Sequence, residues 1–154
     1  MPPRRLSSRF PLPDLSNDVA AEFWNAAARH ELRIPRCAQC RRWCWYPEPE
    51  CPACGSGDLP WEQVAGTGTL FSWTLVHHAF VKEYADKLPI LTGLVALDED
   101  PDVRLVTMLV DCTADDLAIG ARMAVTFRPL SFTGVDGEVV APLFRLAEGD
   151  SPGR

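Results

Sequence analysis

The sequence predicts a mainly β chain in two parts: a short helix with a four-cysteine ribbon, then a small antiparallel barrel of five or six strands. Three observations predict it. Four cysteines stand as C-x2-C-x10-C-x2-C, Cys37-Ala-Gln-Cys40 and Cys51-Pro-Ala-Cys54. After Pro60 the chain is a series of β-branched and aromatic runs separated by Gly, Pro and Asp turns. No strand–helix–strand alternation occurs, which argues against a parallel sheet, and 14 prolines with 10 glycines suit turns and strand ends better than a helical bundle.

Taken in order, residues 1–16 form an extended arm: four prolines and three arginines before Leu15 leave no room for a helix. Ser16-Asn17-Asp18 supplies an N-cap with acid in the first turn. Val19, Ala20, Phe23, Trp24, Ala27 and Ala28 then make an apolar stripe of helical period, so a helix is expected over about 17–31. Its Phe23–Trp24 pair either packs on the chain itself or anchors a partner. The helix and ribbon together occupy 17–59, with Trp43-Cys44-Trp45-Tyr46 as a β-like run between the two cysteine pairs. The barrel occupies 60–147 and a tail 148–154. Within the barrel, Trp61–Val64 leads through Gly66 and Gly68, where a bulge or sharp bend is expected, into a strand ending near His77. Residues 79–88 form a polar, partly helical excursion. Ile90–Leu97 and Val103–Val110 are joined by the acidic turn 98–102 as a hairpin. Thr113–Leu117 reads as one capped helical turn, and Ala121–Pro129 and Val139–Leu146 are the last strands. The five-strand version of such a barrel is the OB-fold.

Paired C-x-x-C units suit a divalent zinc ion, which takes four soft thiolates in a tetrahedron, and one structural zinc per chain is the expectation. Pro52 fixes φ in the second unit, and Gly55 permits φ > 0 just after its last ligand. Two disulfides would need an oxidising compartment, and nothing at the start of the chain reads as an export signal. A rubredoxin-type iron site uses similar spacing. A closed four-thiolate site has no open position for water and so predicts no metal catalysis. Cys44 and Cys112 are left over; Cys44 reads as a packed thiol rather than a fifth ligand, and Cys112 as a small hydrophobe.

Composition narrows the function classes. At 47% apolar and 23% charged, the chain is ordinary for a folded domain, and it holds no apolar run long enough to span a bilayer. A cytoplasmic location is expected. The net charge is −6, distributed unevenly: residues 1–42 carry eight Arg against four acids, and residues 43–154 seven bases against seventeen acids. An OB barrel can bind single-stranded nucleic acid through stacking and a basic groove, with Trp61, Phe71 and Trp73 available to stack, but the acidic barrel lacks the electrostatic funnel. No phosphate-loop, dinucleotide, zinc-protease or serine-hydrolase motif is present. The best catalytic candidates would be His77 and His78, at a strand end beside Lys82, Glu83 and Tyr84, and no orienting partner is visible for either.

The ordered segments FWNAAARHELRIPRCAQC (23–40), YPEPECPACG (46–55), VAGTGTLFSWTLVHH (64–78), LAIGARMAVTF (117–127) and PLFR (142–145) resemble the zinc-ribbon/OB-fold proteins that accompany thiolases and other acyl-CoA enzymes. The resemblance covers about 17–147 and looks closest to the branch associated with steroid side-chain aldolases. It implies a non-catalytic or co-catalytic subunit of a hetero-oligomer whose thiolase-like partner holds the nucleophile, with the barrel near the acyl-CoA path. CoA phosphates want Arg or Lys. Arg41 and Arg42, with Arg33 and Arg36 nearby, make one candidate patch; His77, His78 and Lys82, flanked by Lys87, make another. Phe23, Trp24 and Trp73 are the candidate partner contacts.

Overall fold

The computed structural model describes residues 12–149. Within it lie one α-helix, α1 (Ala21–Ala28), and seven strands: β1 (Arg33–Pro35), β2 (Trp61–Gln63), β3 (Thr67–Val76), β4 (Ile90–Leu97), β5 (Arg104–Met108), β6 (Arg122–Ser131) and β7 (Glu138–Leu146). Two 3-10 helices, Lys82–Lys87 and Ala114–Asp116, interrupt the β segments. The expected arm falls mostly on residues 1–11, outside the described residues, as does most of the tail.

β1 and β2 form a two-stranded antiparallel sheet, with Ile34 opposite Glu62. The other five strands form one antiparallel sheet in the order β5-β4-β3-β6-β7. It curls until β7 meets β5. There the pairing is parallel and brief: Leu109 bridges Phe144, the Val110 amide donates to the Phe144 carbonyl at 2.9 Å, and the Thr107 hydroxyl donates to the Pro142 carbonyl at 3.2 Å. This is the OB-like barrel that the strand pattern predicted. Its interior holds Leu70, Val95, Met123 and Phe144, all buried, and the same apolar cluster runs on through Ile34 and Phe23. α1 lies against β7 and β1.

Several expectations are corrected. The helix is shorter than 17–31: residues 15–20 make turns, and the N-cap is Ala20, without a side-chain cap. Asn17 starts those turns instead; its side-chain oxygen accepts from the Val19 amide at 3.0 Å, which offers the backbone an alternative to helix. Residues 43–46 contribute a single bridge, Trp43 to Arg36, and no strand. Of the bulge or sharp bend expected at Gly66 and Gly68, the bend is present, at Gly66, while the register shift in β3 lies further on, between Leu70 and Ser72, and Gly68 serves close packing. Gly66 has φ +75°, and a Cβ on Gly68 would run into the Ala96 carbonyl on β4. The capped turn at Thr113 is as expected, with Thr113 and Asp116 each capping the other's backbone.

Candidate metal centre and surrounding surface

The four cysteines of the paired units converge. Their Sγ atoms all lie within 4.8 Å of one another, and Cys37–Cys54 and Cys40–Cys51 are each 3.6 Å apart. Four sulfurs bound at ~2.3 Å to one tetrahedral ion stand about 3.8 Å from each other, so these residues fit a single zinc. Each unit is a tight loop closed on its first cysteine: the Arg41 amide donates to the Cys37 carbonyl at 3.0 Å, and the Gly55 amide to the Cys51 carbonyl at 2.8 Å. The residue after each second cysteine takes the left-handed conformation, Gly55 at φ +75° and Arg41 at φ +61°. The glycine was readable in sequence; the arginine was not, because the motif hides its backbone requirement behind an ordinary side chain.

The first cysteine of each pair is buried and the second exposed. Backbone amides pointed at the buried sulfurs favour the thiolate. The Cys40 amide, 3.5 Å from Cys37 Sγ, pulls that thiol below its ordinary value, and the Ala53 amide brings Cys51 down to about 6. The Ser56 amide pulls Cys54 the same way, but hydrogen bonding from Cys37 opposes it and, with burial and the other thiols, drives Cys54 up to about 12. Packing four thiols this closely favours one anion at the expense of the next, and a divalent cation removes the conflict. Cys44 is not one of the four. It is buried, stands 3.9 Å from Cys51 Sγ, and faces the Arg42 carbonyl at 3.6 Å; burial, then Cys51, pushes its thiol up to about 11. It packs as a neutral S–H donor against a ligand.

Glu62 ties β2 to the ribbon. It pairs with Arg36 at 3.3 Å and Arg41 at 3.2 Å, while Arg36 also reaches the Arg41 carbonyl and stacks over Trp43. Arg33 is paired with Glu31 at 2.8 Å. Of the basic residues around the first cysteine pair, Arg42 alone makes no side-chain hydrogen bond or ion pair among the described residues. On the other candidate patch, His77, His78 and Lys82 are all exposed, beyond the end of β3. The His78 ring meets Phe80 edge-on at 4.8 Å, and neither histidine has a hydrogen-bonded or ionic partner among the described residues. Phe23 is buried, its ring against Trp24 and Trp45 at 5.1 and 5.2 Å; Trp24 and Trp73 are half-buried.

Phe80 was not singled out from sequence, and Tyr84 was named only as a neighbour of the two histidines. Phe80 is 91% exposed at the tip of the β3–β4 connection, with exposed Val81 beside it; an aromatic inside an otherwise polar excursion was the available signal. Tyr84, on the same connection, lines three adjoining cavities of about 400, 370 and 230 Å³. Trp24, Leu130 and Ala141 are shared by the first two cavities, and Val76 and Ile90 by the first and third, so together they form one apolar groove between α1, β7 and the β3–β4 connection. No helix among the described residues is long and apolar enough to cross a membrane.

Comparison with known proteins agrees with this geometry. A family model described as "ChsH2, rubredoxin-like zinc ribbon domain" matches residues 24–60, and another, "ChsH2, C-terminal OB-fold domain", matches residues 61–128. Among solved structures, a chain of an "Ltp2-ChsH2(DUF35) aldolase" superposes with a TM-score of 0.73 at 34% identity, covering 89% of this chain and 98% of that one. A "Probable enoyl-CoA hydratase alpha subunit" of Thermomonospora curvata is 37% identical over 138 residues, 89% of this chain but 40% of its own length. A "DUF35 domain-containing scaffold protein" of Methanothermobacter thermautotrophicus is 28% identical over 112 residues, 72% of this chain and 82% of that protein.

Proposed function

The chain belongs to the ChsH2 (DUF35) family of zinc-ribbon and OB-fold proteins, and from that membership we propose that it is a non-catalytic subunit of a thiolase-like acyl-CoA enzyme, an acyltransferase or a retro-aldolase acting in steroid side-chain breakdown. The observation that carries this reading is the likeness to a chain of an aldolase assembly over nearly that chain's whole length. Two features of the molecule support it. The metal site is a set of four thiols, a closed tetrahedral donor set of the kind that holds a structural rather than a catalytic zinc. Neither exposed histidine has, among the described residues, a hydrogen-bonded or ionic partner of the kind that orients a general acid or base. The zinc instead holds the ribbon in shape, and the ribbon is braced on the barrel through Glu62.

In this role the β3–β4 connection, with Phe80 and Val81 exposed, and the half-buried Trp73 face the partner. Arg42, together with His77, His78 and Lys82, supplies cationic or polar contacts for the CoA phosphates. Arg41 is committed to Glu62 and contributes less. A reducing compartment such as the cytoplasm suits six free thiols.

The test is to recover the tagged chain from its native host at moderate salt and identify what accompanies it. A thiolase-like protein in fixed ratio is the expected result, with acyl-CoA binding weakened several-fold by Arg42→Glu or Lys82→Glu in the complex. Recovery of the chain alone as a zinc-bound species overturns the proposal, and salt-sensitive binding of single-stranded DNA by that species would put the nucleic-acid reading in its place.

A further inference from the structure

The largest cavity of the apolar groove, about 400 Å³, lies on a seam of the barrel that is only partly closed. It is lined by residues 105–108 of β5 and 141–144 of β7, consecutive positions on each strand. Side chains alternate between the two faces of a strand, so a cavity that touches several in a row sits at the strand edges. At one end the seam is shut, by the Leu109–Phe144 bridge and by the Thr107 hydroxyl on the Pro142 carbonyl. From there toward Arg104 no strand pairing joins β5 to β7 among the described residues.

β5 presents an open edge along that stretch. The Leu109 amide donates to the Leu91 carbonyl at 2.9 Å, and the Val103 carbonyl accepts from the Leu97 amide at 3.0 Å. The antiparallel register between those two bonds is unbroken, so the odd-numbered residues of β5 bond to β4. The amides and carbonyls of Arg104 and Val106 therefore point the other way, into the seam, and no backbone partner takes them among the described residues. The two sides of the seam are unlike. Pro142 has no N–H and blunts β7. β5 has neither proline nor bulge, and its Val106 is 59% exposed. The Arg104 guanidinium lies 4.0 Å over the Phe71 ring. No charged residue lines the cavity among the described residues, and Trp24 of α1 with β7 walls its far side. Such a slot suits one uncharged strand rather than the edge of a second barrel.

We propose that the open edge of β5 receives an extended, uncharged segment of the partner subunit as an added strand. The segment pairs with the backbone of Arg104 and Val106, ends at the Thr107–Pro142 contact and sets every second side chain in the groove beside Trp24. The source of the segment rests on the subunit reading above; the manner of its docking rests on the edge itself.

The probes are synthetic peptides with blocked ends in which Thr alternates with Val, with Leu or with Phe. Each is added to the isolated zinc-loaded chain, and amide exchange is followed residue by residue by NMR. At least one peptide should slow exchange at Val106 several-fold and leave Val125, on β6, unchanged. Two counterparts of that peptide carry N-methyl groups on alternate amides, one on the odd and one on the even residues. Only one of them should lose the effect, because a strand pairs with β5 through one edge. Val106→Pro, which removes the edge amide, should abolish the slowing at Arg104. Absence of protection with all three peptides overturns the proposal, as does an equal effect of the two methylated counterparts or undiminished slowing in Val106→Pro. These readouts use the chain and synthetic peptides alone, so their outcome stands apart from whether a thiolase-like partner is recovered.

Discussion

Cys44 lies as near to Cys51 as a ligand would, yet it points its thiol at a carbonyl and at a neighbouring sulfur instead of the common centre. Cys44→Ala should therefore leave one zinc per chain by elemental analysis and cost about 1 kcal/mol, the loss expected for a small buried group. Cys51→Ala should leave zinc less tightly held, lost at chelator concentrations that the unaltered chain withstands, because water replaces one of four thiolates. The metal set was legible from spacing alone; the separate duty of Cys44 was legible only as an exclusion, since spacing says nothing of which way a fifth thiol points. Asp98 gives a second residue-level prediction. It accepts both guanidinium nitrogens of Arg122, at 2.8 and 2.6 Å, and the Thr67 hydroxyl at 2.6 Å, and Arg122 before Thr67 holds its carboxyl down at about 2. A carboxyl depressed in the folded state adds stability above its unfolded value of about 4 and loses it as pH falls toward the folded one. The stability gap between the unaltered chain and Asp98→Asn, followed by denaturant unfolding, should be constant above about pH 5 and shrink between about pH 4 and 2. Both side chains are well exposed, so solvent screening keeps that gap small.

Strand order follows from alternating apolar runs and turns, and those were readable: β4, β5, β6 and β7 lie within two residues of their expected bounds. What the local pattern does not encode is long-range choice. Trp61–Gln63 reads as the barrel's first strand, yet its partner is Arg33–Pro35, and the pairing is decided by the ribbon that brings residue 35 near residue 60. The helix was over-extended for a similar reason: an apolar stripe has no sharp edge, and an eight-residue helix is held by tertiary packing on β7 rather than by its own propensity. Chelation of the metal should accordingly loosen the ribbon, β1 and β2 first, seen as faster amide exchange at residues 33–63 before any change in β4. Where β3 crosses β4, Gly68→Ala would set a methyl against the Ala96 carbonyl and should cost about 2–4 kcal/mol by thermal unfolding. The control Gly57→Ala, with nothing nearer than 3.9 Å, should stay within about 0.5 kcal/mol.

For the molecule as a whole, the charge division seen in sequence survives folding only in part. Among the described residues, four of the five N-terminal arginines are paired locally, Arg29 and Arg33 with Glu22 and Glu31, Arg36 and Arg41 with Glu62, so much of a patch that looks like an anion site in the sequence is internal bracing. Charge counts along a chain cannot show this, because Glu62 lies more than twenty residues from the arginines it pairs. Apolar surface behaves in the same way. Phe23 and Trp24 are adjacent in sequence and both line the groove, yet Phe23 is buried in the core cluster while Trp24 stays half-buried.

The β1–β2 pairing also bears on how this architecture can be taken apart. The two family matches meet between residues 60 and 61, which invites a cut there. The hydrogen-bonded seam does not respect that boundary: β1 and Val64, whose amide donates to the Leu32 carbonyl at 2.9 Å, lie on opposite sides of it. A ribbon transplanted into another protein would carry its own closing strand only if the graft ran past residue 64. A barrel begun at residue 61 would start with an orphaned edge, open to whichever strand reached it first.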